Sequence, residues 1–464
     1  MPCADIGVVR DPEMCTCAHD VPMEACCTQL WTLPAQRCAS PPVAELLKVR
    51  EHTEVSIPLC SFETRDVACL AELPHLRTGN ICFKSMQDSV LCSLGKCAFL
   101  EKLDLPASIY LTGTSRPTGV VTLEELNPCD CGHVGRGATG LVRLPRLRVL
   151  SLRDTRVTNC CLVVLGESRS FVKLYLFSCH YTRDITPVLG IATLCELNVL
   201  GCNNSRSTKH NFARLPNLCS LSIGRVDSSK CERHILKHAQ GLTTLKLRRD
   251  DSRAVKLSFI ERMRTLVELQ RDGNKMHANL DRLFELPHLR IPSLRCPGPS
   301  SNVRFLPKCA SMVKLSLTQC RKPTDLRPLA SMESLEELDL SCFKLPRKGV
   351  IGSPPLLGHL GVLQCDVAND SFSQIHESST LECLDISDCK RIEDLSLIHK
   401  MDRLEKFSLV DCKNVCGGWE YLLEPPPLRL AYTPDAVLSS FICSALRQKG
   451  VTLINERIYY LENS

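Results

Sequence analysis

Aromatic residues are scarce in this chain: they make up 5% of 464 residues, with two tryptophans. That leaves little material for the ring platforms on which single-stranded nucleic acids stack. No sign of charge dominates either. Lys plus Arg number 57 and Asp plus Glu 51, a net charge of +6, too dilute over this length to imply a nucleic-acid partner. No run of 18 apolar residues occurs, so no membrane-spanning helix is predicted. The first twenty residues, MPCADIGVVRDPEMCTCAHD, carry scattered acids and no apolar core, so a secretory signal is not expected. The chain has no C-x-x-C pair, which excludes zinc ribbons, RING-type sites and thioredoxin-like motifs. No Ser/His/Asp or Cys/His set can be assembled, and no enzymatic chemistry is predicted.

Cysteine is what the chain has in excess, at 30 residues. Such a load fits a secreted disulfide scaffold, a zinc protein, or a reduced interior that uses Cys as a small hydrophobe. With no signal peptide and no paired ligands, the third reading stands. It places free thiols in a cytoplasmic or nuclear protein.

Many of these cysteines belong to a repeat. The segments 335–343 (LEELDLSCF), 381–389 (LECLDISDC) and 404–412 (LEKFSLVDC) share the template L-x-x-L-x-L-x-x-C. With the first Leu as position 1, the template recurs from Leu76 through Leu100, Leu123, Leu147, Phe171, Leu194 and Leu218 to Leu242. It continues at Leu266, Leu289, Met312, Leu335, Leu357, Leu381, Leu404 and Leu428, always 22 to 24 residues apart. Degenerate units extend it back to His52, Cys27 and Cys3. Length alone would suggest about three domains, but a period this steady makes one array. Residues 1–75 form degenerate repeats, 76–434 regular ones, and 435–464 a C-terminal cap, read as a helix over 434–448 and a strand over 451–458. No N-terminal cap is recognisable, which leaves irregular first units or a longer natural chain.

The template is that of a leucine-rich repeat. Positions 4 and 6 alternate as in a half-buried strand, and position 9 turns inward where the chain leaves it. Cys60, Cys131, Cys179, Cys202, Cys320, Cys365, Cys389 and Cys412 all fall at position 9. Five residues later come Asp184, Asp325, Asp370 and Asp394, and the contexts Asp184-Ile-Thr-Pro187 and Asp325-Leu-Arg-Pro328 read as N-caps with Pro in the first turn of a short helix. Four units close on Leu-Pro-x-Leu, at 73–76, 144–147, 215–218 and 286–289, where proline forbids a continuing helix. The predicted fold is an α/β solenoid: a curved parallel sheet on the concave face, short helices and turns on the convex face. Nineteen strands about 4.8 Å apart would span roughly 90 Å.

Other motifs weigh little. Gly135-Arg-Gly137-Ala-Thr-Gly140 matches a dinucleotide fingerprint, but only six residues separate it from the next repeat strand, so it reads as an outer connection. Cys129-Asp-Cys131-Gly-His133 lacks a fourth ligand, with Cys129 expected on an exposed strand position. The cysteines before residue 40 match no common metal spacing. No cofactor and no metal site are predicted.

The informative residues are those facing outward from the strands, at positions 2, 3, 5, 7 and 8. The middle of the chain places Arg225, Lys246, Arg248, Arg249, Arg290, Arg295 and Lys314 there, against Glu268 and Asp272. The C-terminal units place Glu336, Glu337, Asp339, Glu382, Asp385, Asp388, Glu405 and Asp411, against Lys406. A groove running from basic to acidic suits a protein partner of complementary charge, with Tyr175 and Phe177 as aromatic anchors. Nucleic acid on the central basic stripe is the lesser reading, and nothing indicates a membrane or fixes an oligomeric state.

The idiom of Cys320-Arg-Lys-Pro-Thr-Asp325-Leu-Arg-Pro-Leu329, running on to Leu335-Glu-Glu-Leu338-Asp-Leu340, and of Cys389-Lys-Arg-Ile-Glu-Asp394-Leu resembles the cysteine-bearing leucine-rich-repeat proteins of trypanosomatid parasites. That family includes expression-site-associated members. The resemblance covers about 76–450, with weaker units over 266–311. It implies an intracellular, non-enzymatic interaction protein. Some members carry an N-terminal RING, and this chain lacks RING-type spacing. The primary expectation is therefore a protein-binding scaffold. The alternative is a substrate-recognition or regulatory subunit of a ubiquitin-ligase or phosphatase complex.

Overall fold

The computed structural model describes residues 30–32, 53–60, 73, 75–83, 94–105, 120–129, 138–202, 212–224, 241–248, 262–272, 286–295, 311–318, 325–345, 349–375, 378–423, 428–433 and 438–454. Within them the chain is one solenoid. Nineteen strands form a single sheet, every pairing is parallel, and each strand pairs with those one unit before and after it. Eighteen strands belong to the repeat units from Cys27 to Leu428, and the last, Thr452–Ile454, belongs to the cap.

The register follows the template. Leu126, Leu150, Leu174, Leu197, Leu221, Leu245 and Leu269, all at position 4, stand opposite one another along the ladder and are at most 2% exposed. Apolar residues at positions 1 and 6 are buried beside them, so most regular units contribute three apolar side chains to a continuous core. A fully buried leucine is worth about 1.5–3 kcal/mol, and it is realised only against the neighbouring units. The four Leu-Pro-x-Leu segments work as read: Leu73, Leu144, Leu215 and Leu286 are buried, while His75, Arg146, Asn217 and His288 point to solvent.

Position 9 explains the cysteines. The thiols of Cys179, Cys202, Cys365, Cys389 and Cys412 donate to the carbonyls of Leu152, Leu176, Leu340, Val362 and Ile386, at 2.9 to 3.1 Å. Each acceptor is position 6 of the preceding unit, so the thiols tie the units together where the strand ladder ends. Burial pushes Cys365 up to about 12 and Cys412 up to about 11. These are protonated donors rather than reactive thiolates. Position 8 completes the turn. Asp154, Ser178, Cys342, Gln364, Asp388 and Asp411 have φ between 55° and 62°, and Gly201 at the equivalent place has φ 74°. Cys60 lies in the strand Glu54–Cys60, and Cys131 and Cys320 lie outside the described residues.

Several expectations are corrected. Trp31 stands opposite Val55, so the first paired unit begins one residue later than the Cys27 register implied. Asp184 and Asp325 are not the caps. They lie one residue earlier, as Asp394 does in its unit, and the three accept the amides of Thr186, Arg327 and Ser396, at 2.9, 3.1 and 2.7 Å. The turns that follow, Thr186–Gly190, Arg327–Ser331 and Ser396–Ile398, are 3-10. Asp370 sits inside the 3-10 turn Asn369–Phe372. The cap helix is Ser440–Gln448 with Ser439 as its N-cap, so it starts six residues (440 − 434) later than expected. Cys129 is buried at 4% exposure, its thiol on the Asn127 side chain.

Candidate binding face

Because the strands run in register, each outward position forms a column across the concave face. At position 5 the column reads Ser151, Tyr175, Asn198, Ser222 and Lys246, then Gln270, Ser293, Ser316, Asp339, Gly361, Asp385, Ser408 and Tyr432. The column is unevenly covered: Ser222, Asp339, Asp385 and Ser408 are buried, while Ser151, Tyr175, Asn198, Lys246, Ser293 and Ser316 are half-buried, which separates the predicted site residues into buried and open ones.

The aromatic pair lies at one place. Tyr175 is half-buried at position 5. Burial and the adjacent Glu196 carboxylate, to which it is hydrogen bonded, hold its phenol well above the usual range. Phe177, two residues on, lies under the Arg153 guanidinium at 4.9 Å, a cation–π contact. Half-buried Leu200 occupies the same position on the next strand. Arg153, Glu196 and Leu200 escaped the sequence reading because an outward position was searched for unbalanced charge, whereas here the charges serve the rings.

The basic stripe is partly neutralised from within. Lys246 lies 3.3 Å from Glu268 and Lys314 lies 2.8 Å from Glu337. Lys102 with Glu125 and Lys173 with Glu196 repeat the arrangement. Arg248 and Arg290 are exposed. Arg295 lies in the strand Ile291–Arg295, while Arg225 and Arg249 fall outside the described residues.

In the acidic segment, Asp339 and Asp385 are each only 6% exposed. Asp339 accepts from the Ser341 amide at 2.9 Å and the Ser316 hydroxyl at 3.0 Å. Asp385 accepts from the Ser387 amide at 2.9 Å. Burial raises the Asp385 carboxyl above its ordinary range, against the lowering effect of Ser387 and Ser408. The two carboxylates flank Gly361 in one column. The open acids are Glu336 and Glu382, which are exposed, with Glu337, Glu405, Asp388 and Asp411 half-buried around them. Asp388 and Asp411 mark the rim, in the left-handed turn.

Among the described residues no group of three His, Cys, Asp or Glu side chains is placed to hold a metal, and no helix is long and apolar enough to cross a membrane. The cysteines before residue 40 and the Cys131–His133 pair lie outside the described residues.

No family model matches the chain. Over 144 residues, 31% of its length, it is 28% identical to a Trypanosoma equiperdum protein named as an adenylate cyclase regulatory protein, of which the match spans 23%. Solved structures resemble it at low identity. An internalin from Listeria monocytogenes matches with TM-score 0.47 at 16% identity, over 75% of this chain and 88% of that one. The TLR13–ssRNA13 complex matches with TM-score 0.49 at 16% identity, over 87% of this chain and 56% of that one. The in-register parallel sheet with its buried 1-4-6-9 template makes this chain a leucine-rich-repeat solenoid.

Proposed function

We propose that the protein is a non-enzymatic scaffold that captures a protein partner on its concave face. The observation that carries this reading is the concentration of acids across the units from Leu335 to Leu404, where Glu336 and Glu382 are exposed and Asp388, Asp411 and Glu405, the last 3.6 Å from Arg429, are half-buried around them. Like charge held at one place on a rigid sheet steers a basic segment to it and fixes its register. Tyr175 and Phe177 offer apolar anchorage at the far end of the same face. The internal ion pairs of Lys246 and Lys314 weaken the case for nucleic acid, because a paired lysine releases fewer counterions on binding phosphate.

The test is affinity capture with quantitative mass spectrometry, comparing wild type with Glu336→Lys/Glu382→Lys and with Asp370→Lys on the convex side. Partners lost from the concave variant and kept by the convex one support the reading. An identical partner set in all three would end it. The trypanosome relative favours a second, finer reading, in which the bound partner is an enzyme that the solenoid regulates, a nucleotide cyclase by that relative's name. Cyclase peptides among the partners lost would support it.

A further inference from the structure

We infer that Cys195 and Cys219 form a redox-responsive dithiol on the concave face, able to close into a cross-strand disulfide by exchange with a glutathione-type disulfide. Both occupy position 2, in adjacent units, one residue before the strands Glu196–Val199 and Ser220–Gly224. The Cys195 carbonyl accepts the amides of Cys219 and Ser220 at 2.8 and 2.9 Å, and the Cys219 thiol donates to the same carbonyl at 3.2 Å. That clamp fixes the two residues side by side. In-register parallel neighbours lie about 4.8 Å apart at Cα, inside the range of about 4.4–6.8 Å that a disulfide spans. Their Cβ separation is set by the sheet rather than by the bond, so the disulfide would be strained and readily reduced, the character of regulatory rather than structural bridges.

Access together with adjacency separates this pair from the other described thiols. Cys195 and Cys219 are half-exposed, whereas Cys179, Cys202, Cys365, Cys389 and Cys412 are buried; Cys342 is half-exposed too, but its position-8 neighbours are Gln319 and Gln364, and half-exposed Cys443 lies in the cap helix. Cys160 and Cys416 are exposed, but the position-2 neighbours of Cys195 and Cys219 on the outer sides are Val172 and Thr243. Burial, then the nearby Cys195 and Glu196, raise the Cys219 thiol, so it is a slow nucleophile until a neighbour has been activated. The exchange balances without any other reagent. One thiol, as thiolate, attacks the glutathione disulfide and releases one glutathione thiol. The second thiol then attacks the mixed disulfide, forms the Cys195–Cys219 bond and releases the second glutathione. The protein loses two electrons and two protons, and the disulfide reagent gains them. The bond lies one residue before Glu196, to which Tyr175 is hydrogen bonded, and this links the candidate binding face to thiol redox state. The dithiol stands on its own geometry and does not depend on which partner binds.

The test is to titrate the reduced full chain with glutathione disulfide, block remaining thiols by alkylation in denaturant, and map the peptides. The expected product is a Cys195–Cys219 linkage that a monothiol reductant reverses, formed while the buried position-9 cysteines stay alkylatable. In Cys219→Ser the linkage is replaced by a glutathione adduct persisting on Cys195. Recovery of both residues as free thiols, or as two separate glutathione adducts, while Cys160 and Cys416 are modified would overturn the proposal. So would an adduct on Cys195 in the wild type as stable as that in Cys219→Ser.

Discussion

Units 335–412 and units 218–318 follow one template and differ in how each strand ends. In the first group the strands stop at position 5, as in Glu337–Asp339, Cys383–Asp385 and Lys406–Ser408. The chain then turns through a left-handed position 8 and buries position 9. In the second group the strands run five residues, as in Ser220–Gly224, Thr244–Arg248, Glu268–Asp272, Ile291–Arg295 and Lys314–Thr318. Their position-9 residues are Val226, Asp250, Asn274, Pro297 and Cys320, so most lack the thiol that tethers one unit to the last. The apolar positions set the strand, but position 9 alone does not set where it stops: Lys314–Thr318 runs five residues ahead of Cys320, and Glu337–Asp339 stops at position 5 ahead of Phe343.

The second group also breaks the inward rule twice in succession. Arg271 occupies position 6, where other units place an aliphatic residue, and is 4% exposed. Pro292 occupies position 4 of the next unit, where it brings no amide to the ladder. The pairing onto the strand Lys314–Thr318 begins only at Ser293. If these departures loosen the middle, cavities should cost unequally. Leu384 and Leu269 occupy position 4 in the two regions and both are fully buried. Leu384→Ala is expected to cost toward the upper end of the ~2–5 kcal/mol that such truncations cost, and Leu269→Ala toward the lower end, since a poorly coupled unit transmits less to its neighbours. Urea denaturation of both variants gives the answer, and equal or reversed losses would dissolve the distinction.

The second break comes at Arg271 itself. Arg271 is a buried guanidinium held by contacts within the fold, and removing one side of a buried charged contact costs about 3–5 kcal/mol because the other side is left unsatisfied. Arg271→Leu restores the template yet is expected to lower the melting temperature. A clear rise would show that the guanidinium only intrudes, and that the middle is a looser copy of the C-terminal units rather than a differently built segment.

Both regions bear on what was readable in advance. The 22–24 residue period and the alternation at positions 4 and 6 carried the solenoid, because strand burial is a local rule repeated many times. The position-9 cysteines were readable for the same reason. The caps expected at Asp184 and Asp325 fall one residue later because a 3-10 turn and an α-helix begin with similar residues, and only the backbone separates them. The candidate face was read as bare charge, and there the sequence misleads. Whether Lys246 is open depends on Glu268 one unit away, and whether Asp339 reaches solvent depends on its neighbours' side chains. Such cross-strand relations follow from register and curvature, which a residue's own position in the repeat does not specify.

The smallest expected effect sharpens the comparison from the C-terminal side. Arg271 lies in the core, whereas Asp385 is an acid buried within the concave column beside Asp339. Burial sets its folded pKa above that of a carboxylate in the unfolded chain, about 4. Between those two values the folded state binds more protons than the unfolded state. Stability from this group therefore falls as pH rises through that window and stays reduced above it. Asp385→Asn carries no charge and keeps an oxygen to accept the Ser387 amide, so at pH 7 it should melt higher than the wild type. The gain should contract as pH falls through that window and be gone below about 4, where the aspartate is neutral in both states. A gain independent of pH, or none at pH 7, would remove the charge as the cause. A stabilised variant that also loses the captured partner would show that the carboxylate is kept for binding at the expense of the fold, a trade common where function needs a group that folding does not.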